Sequence, residues 1–352
     1  MAVTLRSFAK INLGLGIGPP RPDGFHELRT VYQTIALHDV IRVEVRRGAG
    51  IEILCDDLRV PKDASNTCYR IVEPAMAALE VRGRVVIHIE KRLPVQGGMG
   101  AASANAVAAL LALERAVNKQ LSPSERLRMA AEAGSDIPLF LIGGTVLGVG
   151  HGEEVYPLPD LPSMPCVIVT PEIAVSTPKA FADWDGLCGG GAMPGLDGAS
   201  PVPTRPLPDS AKLTPASPSD RMFELGRTVS GWLSGSGQVK FKAGKTLSGV
   251  PAKGGRGRAE TPLLDLVRTG IENDFERVVF PQYPELCEAK RVLERAGAEY
   301  ASLSGSGSAL YGLFASLAAA RRAAMTLRKS GFPATATTTL TRRQYWKRIF
   351  DC

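Results

Sequence analysis

Three closely spaced glycines interrupt a regular pattern at residues 94–104 and constrain how the chain can fold. Before them, "RVVIHIE" alternates apolar and polar residues, as a strand of a half-buried sheet does. After them, "AASANAVAALLALE" is small and apolar throughout, which is typical of a buried helix. Gly97, Gly98 and Gly100 permit backbone angles that other residues avoid. The sequence therefore predicts a strand, a tight turn and a helix that starts near Ser103.

Two interpretations of this turn stay open on the motif alone. The first amides of a helix lack partners and lie at its positive end, so they bind phosphate readily, and Ser103 could cap the helix. The alternative is a flexible turn before a core helix. The segment has neither the GxxxxGK[ST] pattern nor the acidic ribose contact of a dinucleotide fold. Since alanine avoids positive φ, Ala101, Ala102 and Ala104 should lie within or near the helix.

The remaining patterns favour an α+β fold in two lobes. The chain has 352 residues, enough for two domains, and its strands and helices do not alternate regularly. We expect an N-terminal lobe over residues 1–160 and a C-terminal lobe over residues 161–345. A stretch rich in Gly, Pro and Ser at about 186–262 indicates an insertion in the second lobe.

Local signals mark several helix ends. Asn66 is a candidate N-cap for a helix over residues 66–80. Ser122, Pro123 and Glu125 form a capping-box pattern, and Gly134 is a plausible stop. Ser135 would cap the short helix that follows. The terminal "RRQYWKR" is interpreted as a solvated end rather than a nucleic-acid patch.

Charge and cysteine usage limit the partners and the compartment. A net charge of +7 favours anionic partners, either nucleic acid or phosphorylated small molecules. The six cysteines form no CxxC pair, which indicates reduced thiols in a cytoplasmic protein. No apolar run approaches the roughly 18 residues of a membrane span, and no signal peptide is recognised. We expect a cytoplasmic protein with no membrane partner, and charge alone does not choose between nucleic acid and a phosphorylated small molecule.

Two charged residues stand where burial is expected. Lys10 lies in an apolar strand beside Asn12, where it either extends its amine to solvent or has a function. Asp136 would lie in the first turn of a short helix, either as a helix-dipole or capping residue or as a functional one. In the functional interpretation Lys10 keeps Asp136 ionised. The carboxylate then accepts or orients the proton of a substrate hydroxyl that attacks a γ-phosphate.

A second glycine segment, "SGSGS", separates two strand patterns near the C-terminus. Gly305 and Gly307 would let the backbone approach a ligand closely, although a simple tight hairpin explains them equally well. His38, His88 and His151 show no metal-ligand spacing and are interpreted as structural. The sequence assigns no metal ligands.

Taken together, four segments resemble the GHMP small-molecule kinases in content and order: "KINLGLGI", "LPVQGGMGAASANA", "SDIPLF" and "LSGSGSALYGLF". Within that superfamily, "AKINLGLGIGPPRPDGFHELRTVYQTIALHD" and "ENDFERVVFPQYPEL" resemble the 4-diphosphocytidyl-2-C-methyl-D-erythritol kinases. The resemblance covers residues 5–185 and about 265–315. It does not cover the insertion.

The resemblance implies a ribosomal-protein-S5-like N-terminal ATP-binding lobe and a ferredoxin-like C-terminal lobe, with the active site between them. It implies that ATP, with Mg²⁺ on its phosphates, phosphorylates the 2-hydroxyl of the cytidylated methylerythritol in the non-mevalonate isoprenoid pathway. The protein would have a small-molecule substrate and no nucleic-acid partner, and it would be a monomer or a homodimer. Alternatives are another kinase of the superfamily, for homoserine or a mevalonate-pathway substrate, and a basic RNA-binding protein. The "PDGFH" segment argues against the other kinases.

The resemblance also implies roles for individual residues. Lys10 and Asp136 match the catalytic pair, and Asn66 matches a residue near the adenine. The ATP phosphate loop matches Pro94, Val95, Gln96, Gly97, Gly98, Met99, Gly100, Ala101, Ala102, Ser103 and Ala104, with alanines and Gln96 where the family usually has glycine. The substrate residues are Asn12, Phe25, His26, Phe181, Gly305, Ser306 and Gly307. Phe25 and Phe181 would stack on cytosine and His26 would read its polar edge.

Overall fold

A computed structural model describes residues 2–95, 97–188, 267 and 271–351 of the chain. Most of the predicted insertion at 186–262 lies outside the described residues, as does the helical pattern of "TPLLDLVRTG" except for Val267. Gln96 also lies outside them.

The first sheet contains six strands and is built around a long hairpin. Its strands are β1 (Ala2–Pro20), β2 (His26–Arg46), β3 (Ile51–Leu54), β4 (Arg84–Glu90), β5 (Thr145–Val149) and β6 (Glu154–Pro157). The order is β3-β4-β2-β5-β6, and β1 also pairs with β2. Only β3 and β4 pair in parallel; the other neighbours are antiparallel. The predicted loop "PRPDGFHE" forms the end of the β1–β2 hairpin.

Helices of the N-terminal half pack with this sheet. They are α1 (Thr67–Ala78), α2 (Ala101–Val117), α3 (Pro123–Ala133) and α4 (Ile137–Phe140). Every residue of α2 from Ala104 to Glu114 is buried, which identifies it as a central helix. Its alanines allow this because small side chains let neighbouring elements approach on all sides.

The second sheet has four antiparallel strands in the order β10-β7-β9-β8. These are β7 (Pro165–Val169), β8 (Tyr300–Leu303), β9 (Leu310–Leu313) and β10 (Ala334–Thr338). Its helices are α5 (Thr177–Leu187), α6 (Glu276–Gln282), α7 (Pro284–Arg295) and α8 (Leu317–Lys329), and α9 (Arg342–Ile349) ends the described chain. A hydrophobic cluster that includes Ile11, Val31, Ile168 and Tyr311 joins the two sheets. The predicted two-lobed α+β class is confirmed, while the division near residue 160 stays a prediction.

The predicted helix ends are largely confirmed. The side chain of Asn66 accepts a hydrogen bond from the amide of Cys68 at 2.8 Å and caps α1. Ser122 and Glu125 form the reciprocal capping box of α3, and Gly134 is its C-cap. These signals are local, so they act whatever packs around them. Among the helices of the described residues, none has the length and apolarity needed to cross a bilayer.

The interpretation of "RRQYWKR" as a solvated end is wrong. The segment forms α9, and its Tyr345 and Ile349 are buried in the core cluster of the first lobe, beside Phe8 and Phe140. The hydroxyl of Tyr345 donates to the Phe140 carbonyl at 2.7 Å. Apolar residues recur between the basic ones with helical spacing and form a buried face. The charge of the segment, considered without this spacing, therefore gives a wrong prediction of its exposure.

We expect Tyr345→Ala to destabilise the fold by about 3–5 kcal/mol, as removal of a buried aromatic ring does. Urea denaturation followed by circular dichroism measures this. The matched control is Arg343→Ala, an exposed position of the same helix, where the change should stay within about 0.5 kcal/mol. Equal stability of the two variants would show that α9 does not belong to the core.

Candidate active site

Lys10 is buried in β1, and its ammonium is held by three segments of the chain. Its side chain is 3% exposed. Its Nζ donates to Asn12 Oδ1 at 2.7 Å and to the Gly98 carbonyl at 2.8 Å, and it lies 3.5 Å from Asp136 Oδ2. Burial lowers the pKa of Lys10, and the Asp136 carboxylate opposes this shift. The alternative in which Lys10 extends into solvent is wrong.

Asp136 occupies the N-cap position of α4, but its side chain makes no capping hydrogen bond. The alternative of a capping aspartate is therefore wrong, and so is the prediction that Ser135 caps this helix. The carboxylate is 34% exposed and accepts a hydrogen bond from the Tyr32 hydroxyl at 2.9 Å. Burial, with Asp136 nearby, raises the pKa of Tyr32 well above its usual value, so Tyr32 remains a donor. One oxygen of the Asp136 carboxylate is thus fixed by Tyr32, and the carboxylate remains partly exposed to solvent.

The glycine turn reaches helix α2 through two left-handed residues. Gly98 has φ 71° and Gly100 has φ 66°, and Gly100 is the N-cap of α2. Ala101 and Ala102 already lie in the helix, as their intolerance of positive φ predicted. The predicted cap by Ser103 is wrong because the helix starts two residues earlier and has no side-chain cap.

Carbonyls and amides of this loop point to different partners. The Gly97 carbonyl accepts from the Ala309 amide, the Gly98 carbonyl from Lys10 Nζ and Ser304 Oγ, and the Met99 carbonyl from the Lys10 amide. Within the described ranges, no acceptor binds the amides of Ala101, Ala102 and Ser103. A Cβ on Gly98 would lie 2.1 Å from the Ser304 carbonyl oxygen. Free amides at a helix start and a turn that only glycine fits suit an anion such as a nucleotide phosphate.

The other predicted nucleotide residues lie around this loop. Pro94 and Val95 precede it and are partly exposed, whereas Ala104 is buried in the core. Asn66 uses its amide group within the protein, since its Nδ2 also donates to the Pro61 carbonyl at 2.6 Å. The neighbouring Thr67 donates to the Ala102 carbonyl at 2.7 Å, which brings the start of α1 against the loop.

The "SGSGS" segment forms the predicted hairpin and also lies against the loop. It joins the antiparallel strands β8 and β9. A Cβ on Gly305 would lie 3.6 Å from Lys10 Nζ. Ser306 Oγ lies 2.8 Å from the Thr177 hydroxyl at the start of α5, and Gly307 has φ 94°. The hairpin is therefore confirmed, and the close approach of this segment to a ligand stays a prediction.

Aromatic side chains gather at the end of the β1–β2 hairpin. Phe25 is 54% exposed and stacks on His151, with ring centroids 5.0 Å apart. His26 stacks on Phe181 at 4.8 Å, and its Nε2 is 2.7 Å from Asp185 Oδ1. The structure thus brings His26 and Phe181 together, with the ring of His26 lying on Phe181, whereas the ring of Phe25 contacts His151. Asn12 lies apart from them and donates to Thr30 Oγ1 at 2.7 Å.

The sequence did not single out Asp39, which anchors both flanks of the loop. Its carboxylate is fully buried and accepts from the amides of Arg92 and Leu93 at 2.7 and 2.8 Å. It also accepts from Asn105 Nδ2 of α2 at 3.0 Å and from the ammonium of Lys91. A carboxylate with so many donors is a strong tether because charge-assisted hydrogen bonds are short and strong. The one sequence feature that pointed to Asp39 was its position at the end of "LHD".

Comparison with known proteins identifies the family. The GHMP kinases N terminal domain matches residues 66–144, and the GHMP kinases C terminal domain matches residues 260–332. The 4-diphosphocytidyl-2-C-methyl-D-erythritol kinase of Solibacter usitatus is 36% identical over 312 residues, which are 88% of this chain and 80% of that protein. The chain belongs to the 4-diphosphocytidyl-2-C-methyl-D-erythritol kinase family of the GHMP kinases.

Solved structures show the same fold. A crystal structure of a 4-(cytidine 5'-diphospho)-2C-methyl-D-erythritol kinase is 26% identical, with a TM-score of 0.66 over 96% of this chain and 99% of that one. Homoserine kinase from Cytophaga hutchinsonii has a TM-score of 0.65 at 19% identity, over 97% of this chain and 95% of that one. Because its identity is so low, the second likeness concerns the fold alone.

We expect Gly98→Ala to weaken ATP binding by about 10- to 100-fold. Its Cβ would displace the loop, and each charge-assisted hydrogen bond lost is worth about 1.5–3 kcal/mol. Isothermal titration with ATP measures the effect. Gly186→Ala is the control, since a Cβ there meets nothing within 4 Å. Unchanged affinity in Gly98→Ala would exclude this loop as the nucleotide site.

Proposed function

We propose that the chain transfers the γ-phosphoryl group of ATP to the 2-hydroxyl of 4-diphosphocytidyl-2-C-methyl-D-erythritol. The observation that carries the proposal is one contact set: the ammonium of Lys10 binds the Gly98 carbonyl and lies 3.5 Å from the open Asp136 carboxylate. The proposed nucleotide-binding loop and the candidate base therefore both lie next to the ammonium of Lys10. The name of the Solibacter usitatus relative supports the choice of acceptor.

The nucleotide side of the reaction rests on helix α2 and its loop. The amides of Ala101, Ala102 and Ser103 would bind phosphate oxygens at the positive end of the helix. Mg²⁺ would be carried by the nucleotide phosphates. Within the part of the chain that the structure describes, no group of three His, Cys, Asp or Glu side chains is placed to hold a metal ion. Bound to the phosphates, the ion would neutralise part of their charge.

The acceptor side rests on Asp136. Its exposed carboxylate would accept or orient the proton of the attacking hydroxyl, which makes the oxygen a better nucleophile. Tyr32 holds Oδ1 in place by its hydrogen bond, and Lys10 lies next to Oδ2. Lys10 would also offset the negative charge that gathers between the hydroxyl and the γ-phosphate. Catalysis would consist mainly of positioning and charge compensation, as in other phosphoryl transfers.

The cytidine end would bind at the aromatic side chains of the hairpin. Phe25 offers an exposed ring, and Phe181 lies on α5 within contact of His26. Stacking on a base is worth about 1–3 kcal/mol, and hydrogen bonds to the edge of the base select which base binds. Asn12 and the segment that contains Gly305, Ser306 and Gly307 border Lys10, where the methylerythritol portion would lie.

We further infer that the enzyme acts in the cytoplasm, as a monomer or a homodimer, in the non-mevalonate isoprenoid pathway. Its buried thiols support a reducing compartment: Cys55, Cys68 and Cys166 are free, and burial raises the pKa of Cys68 to about 12. Such thiols are poor nucleophiles at neutral pH.

One assay separates the proposed acceptor from its alternatives. We expect ATP and Mg²⁺ to phosphorylate 4-diphosphocytidyl-2-C-methyl-D-erythritol with a kcat of about 1–100 per second, as is typical of kinases. Homoserine and mevalonate, tested at equal concentration, should show little turnover. Phosphorus NMR identifies the product. Turnover of homoserine or mevalonate alone would instead assign the chain to a different acceptor.

We expect Asp136→Asn to lower kcat by about 10²- to 10⁴-fold, because the amide cannot take the hydroxyl proton. The shape of the side chain is kept, so the variant should stay folded with a native circular dichroism spectrum, while loss of the charge beside Lys10 should lower the urea midpoint. Glu132→Gln, an exposed carboxylate on α3 that pairs with Arg128, is the control and should retain full activity. A kcat close to that of the wild type in Asp136→Asn would exclude Asp136 as the base.

A further inference from the structure

His151 contacts two parts of the site that have different tasks. It lies between β5 and β6, and its ring stacks on Phe25 with centroids 5.0 Å apart and an interplanar angle of 29°. Its Nδ1 lies 2.8 Å from Ser135 Oγ, and Ser135 directly precedes Asp136. One imidazole thus touches an exposed ring of the hairpin and the segment that carries the candidate base.

We propose that His151 is a positioning residue that orients Phe25 for the cytosine base and couples this ring to the Asp136 segment. The inference rests on the proposed function, because it takes Phe25 as the ring on which cytosine stacks. It assigns His151 a task in acceptor recognition, where its sequence context indicated only a structural histidine.

The need for support follows from the position of Phe25. Its side chain is 54% exposed at the end of a hairpin, where a free ring would populate several rotamers. Ordering such a side chain on binding costs conformational entropy. The stack with His151 covers one face of the ring and orders it in advance, so that its other face can meet a base. Preorganisation of this kind strengthens binding without adding a contact to the ligand.

The turn that carries His151 is itself fixed to both sides of the site. Glu153 Oε2 accepts from the His151 amide at 2.8 Å, and the Gly150 carbonyl accepts from the Leu28 amide of β2 at 2.6 Å. A Cβ on Gly152 would lie 2.8 Å from the Tyr32 hydroxyl oxygen and 3.7 Å from Asp136 Oδ1. The turn therefore packs directly on the pair of Tyr32 and Asp136, and a displacement of His151 would reach the carboxylate.

Four variants of the full-length chain test the two contacts separately. His151→Ala removes the ring stack and the Nδ1 contacts, His151→Phe keeps an aromatic face for Phe25 but removes the Nδ1 contacts with Ser135 Oγ and, at 3.1 Å, with Glu153 Oε2, and Ser135→Ala removes only the hydroxyl partner. His88→Ala, on β4 beside Glu44, is the control for loss of a histidine elsewhere. Steady-state kinetics give kcat and KM for each substrate, and calorimetry with cytidine 5'-diphosphate gives the affinity for the nucleotide portion.

We expect His151→Ala to raise KM for the cytidylated substrate and Kd for cytidine 5'-diphosphate by about 2- to 10-fold, the value of one aromatic pair. KM for ATP should not change. His151→Phe should restore this binding but keep a kcat lowered by about 2- to 10-fold, the value of one hydrogen bond, as should Ser135→Ala. His88→Ala should match the wild type.

Two results would overturn the inference. Unchanged cytidine affinity in His151→Ala would show that Phe25 does not depend on the imidazole. An equal rise of KM for ATP and for the acceptor, with a lowered urea midpoint, would show a role in the fold only. The proposed function fails separately, if the wild type does not phosphorylate the cytidylated substrate. In that case the calorimetric comparison still decides whether His151 supports a cytidine site.

Discussion

The buried ammonium of Lys10 is the constraint on which the site depends. A charged group out of water is costly unless polar partners surround it. Its partners come from separate parts of the chain: Asn12 from the same strand, Gly98 from the turn before α2, and Asp136 from the start of α4. The fold can bury this lysine only if all three segments converge on it. Stability and the candidate active site therefore impose the same geometry on the chain.

The same contacts explain why the glycine turn presents amides rather than carbonyls. The ammonium of Lys10 donates to the Gly98 carbonyl, and the backbone amide of Lys10 donates to the Met99 carbonyl. An amide of the β8–β9 hairpin donates to the Gly97 carbonyl. With the carbonyls fixed toward the protein, the amides of the first turn of α2 remain for an anion. Asp39 stabilises the loop further, because its carboxylate accepts hydrogen bonds from residues on either side of it. An anion site formed by backbone groups tolerates the alanines at 101 and 102, because no side chain has to bind.

Features governed by neighbouring residues were predictable from the sequence, and those governed by tertiary contacts were not. The capping box at Ser122 and the alanines within α2 obey local rules, and Lys10 was conspicuous because lysine is unusual in an apolar strand. No local sequence pattern singles out Asp39, Tyr32 or His151 as functional. Asp39 lies within β2 without any distinguishing local pattern, and its role depends on a loop more than 50 residues away in sequence. The cap expected at Ser103 failed for a similar reason, since the contacts of Lys10 draw the turn into a left-handed start at Gly100.

The aromatic side chains proposed to bind cytosine and the residues proposed for phosphoryl transfer lie in different parts of this fold. Homoserine kinase from Cytophaga hutchinsonii shares the architecture at 19% identity, so the architecture alone does not select an acceptor. In this chain the aromatic side chains lie on the hairpin end, on α5 and in the turn at His151, and none of them touches Lys10. Among the described residues, the turn at His151 reaches the candidate base through Ser135 and by packing on Tyr32. The cytosine pocket has few contacts with the residues proposed for phosphoryl transfer. Its side chains can therefore differ between related proteins while Lys10, the glycine loop and Asp136 keep their arrangement.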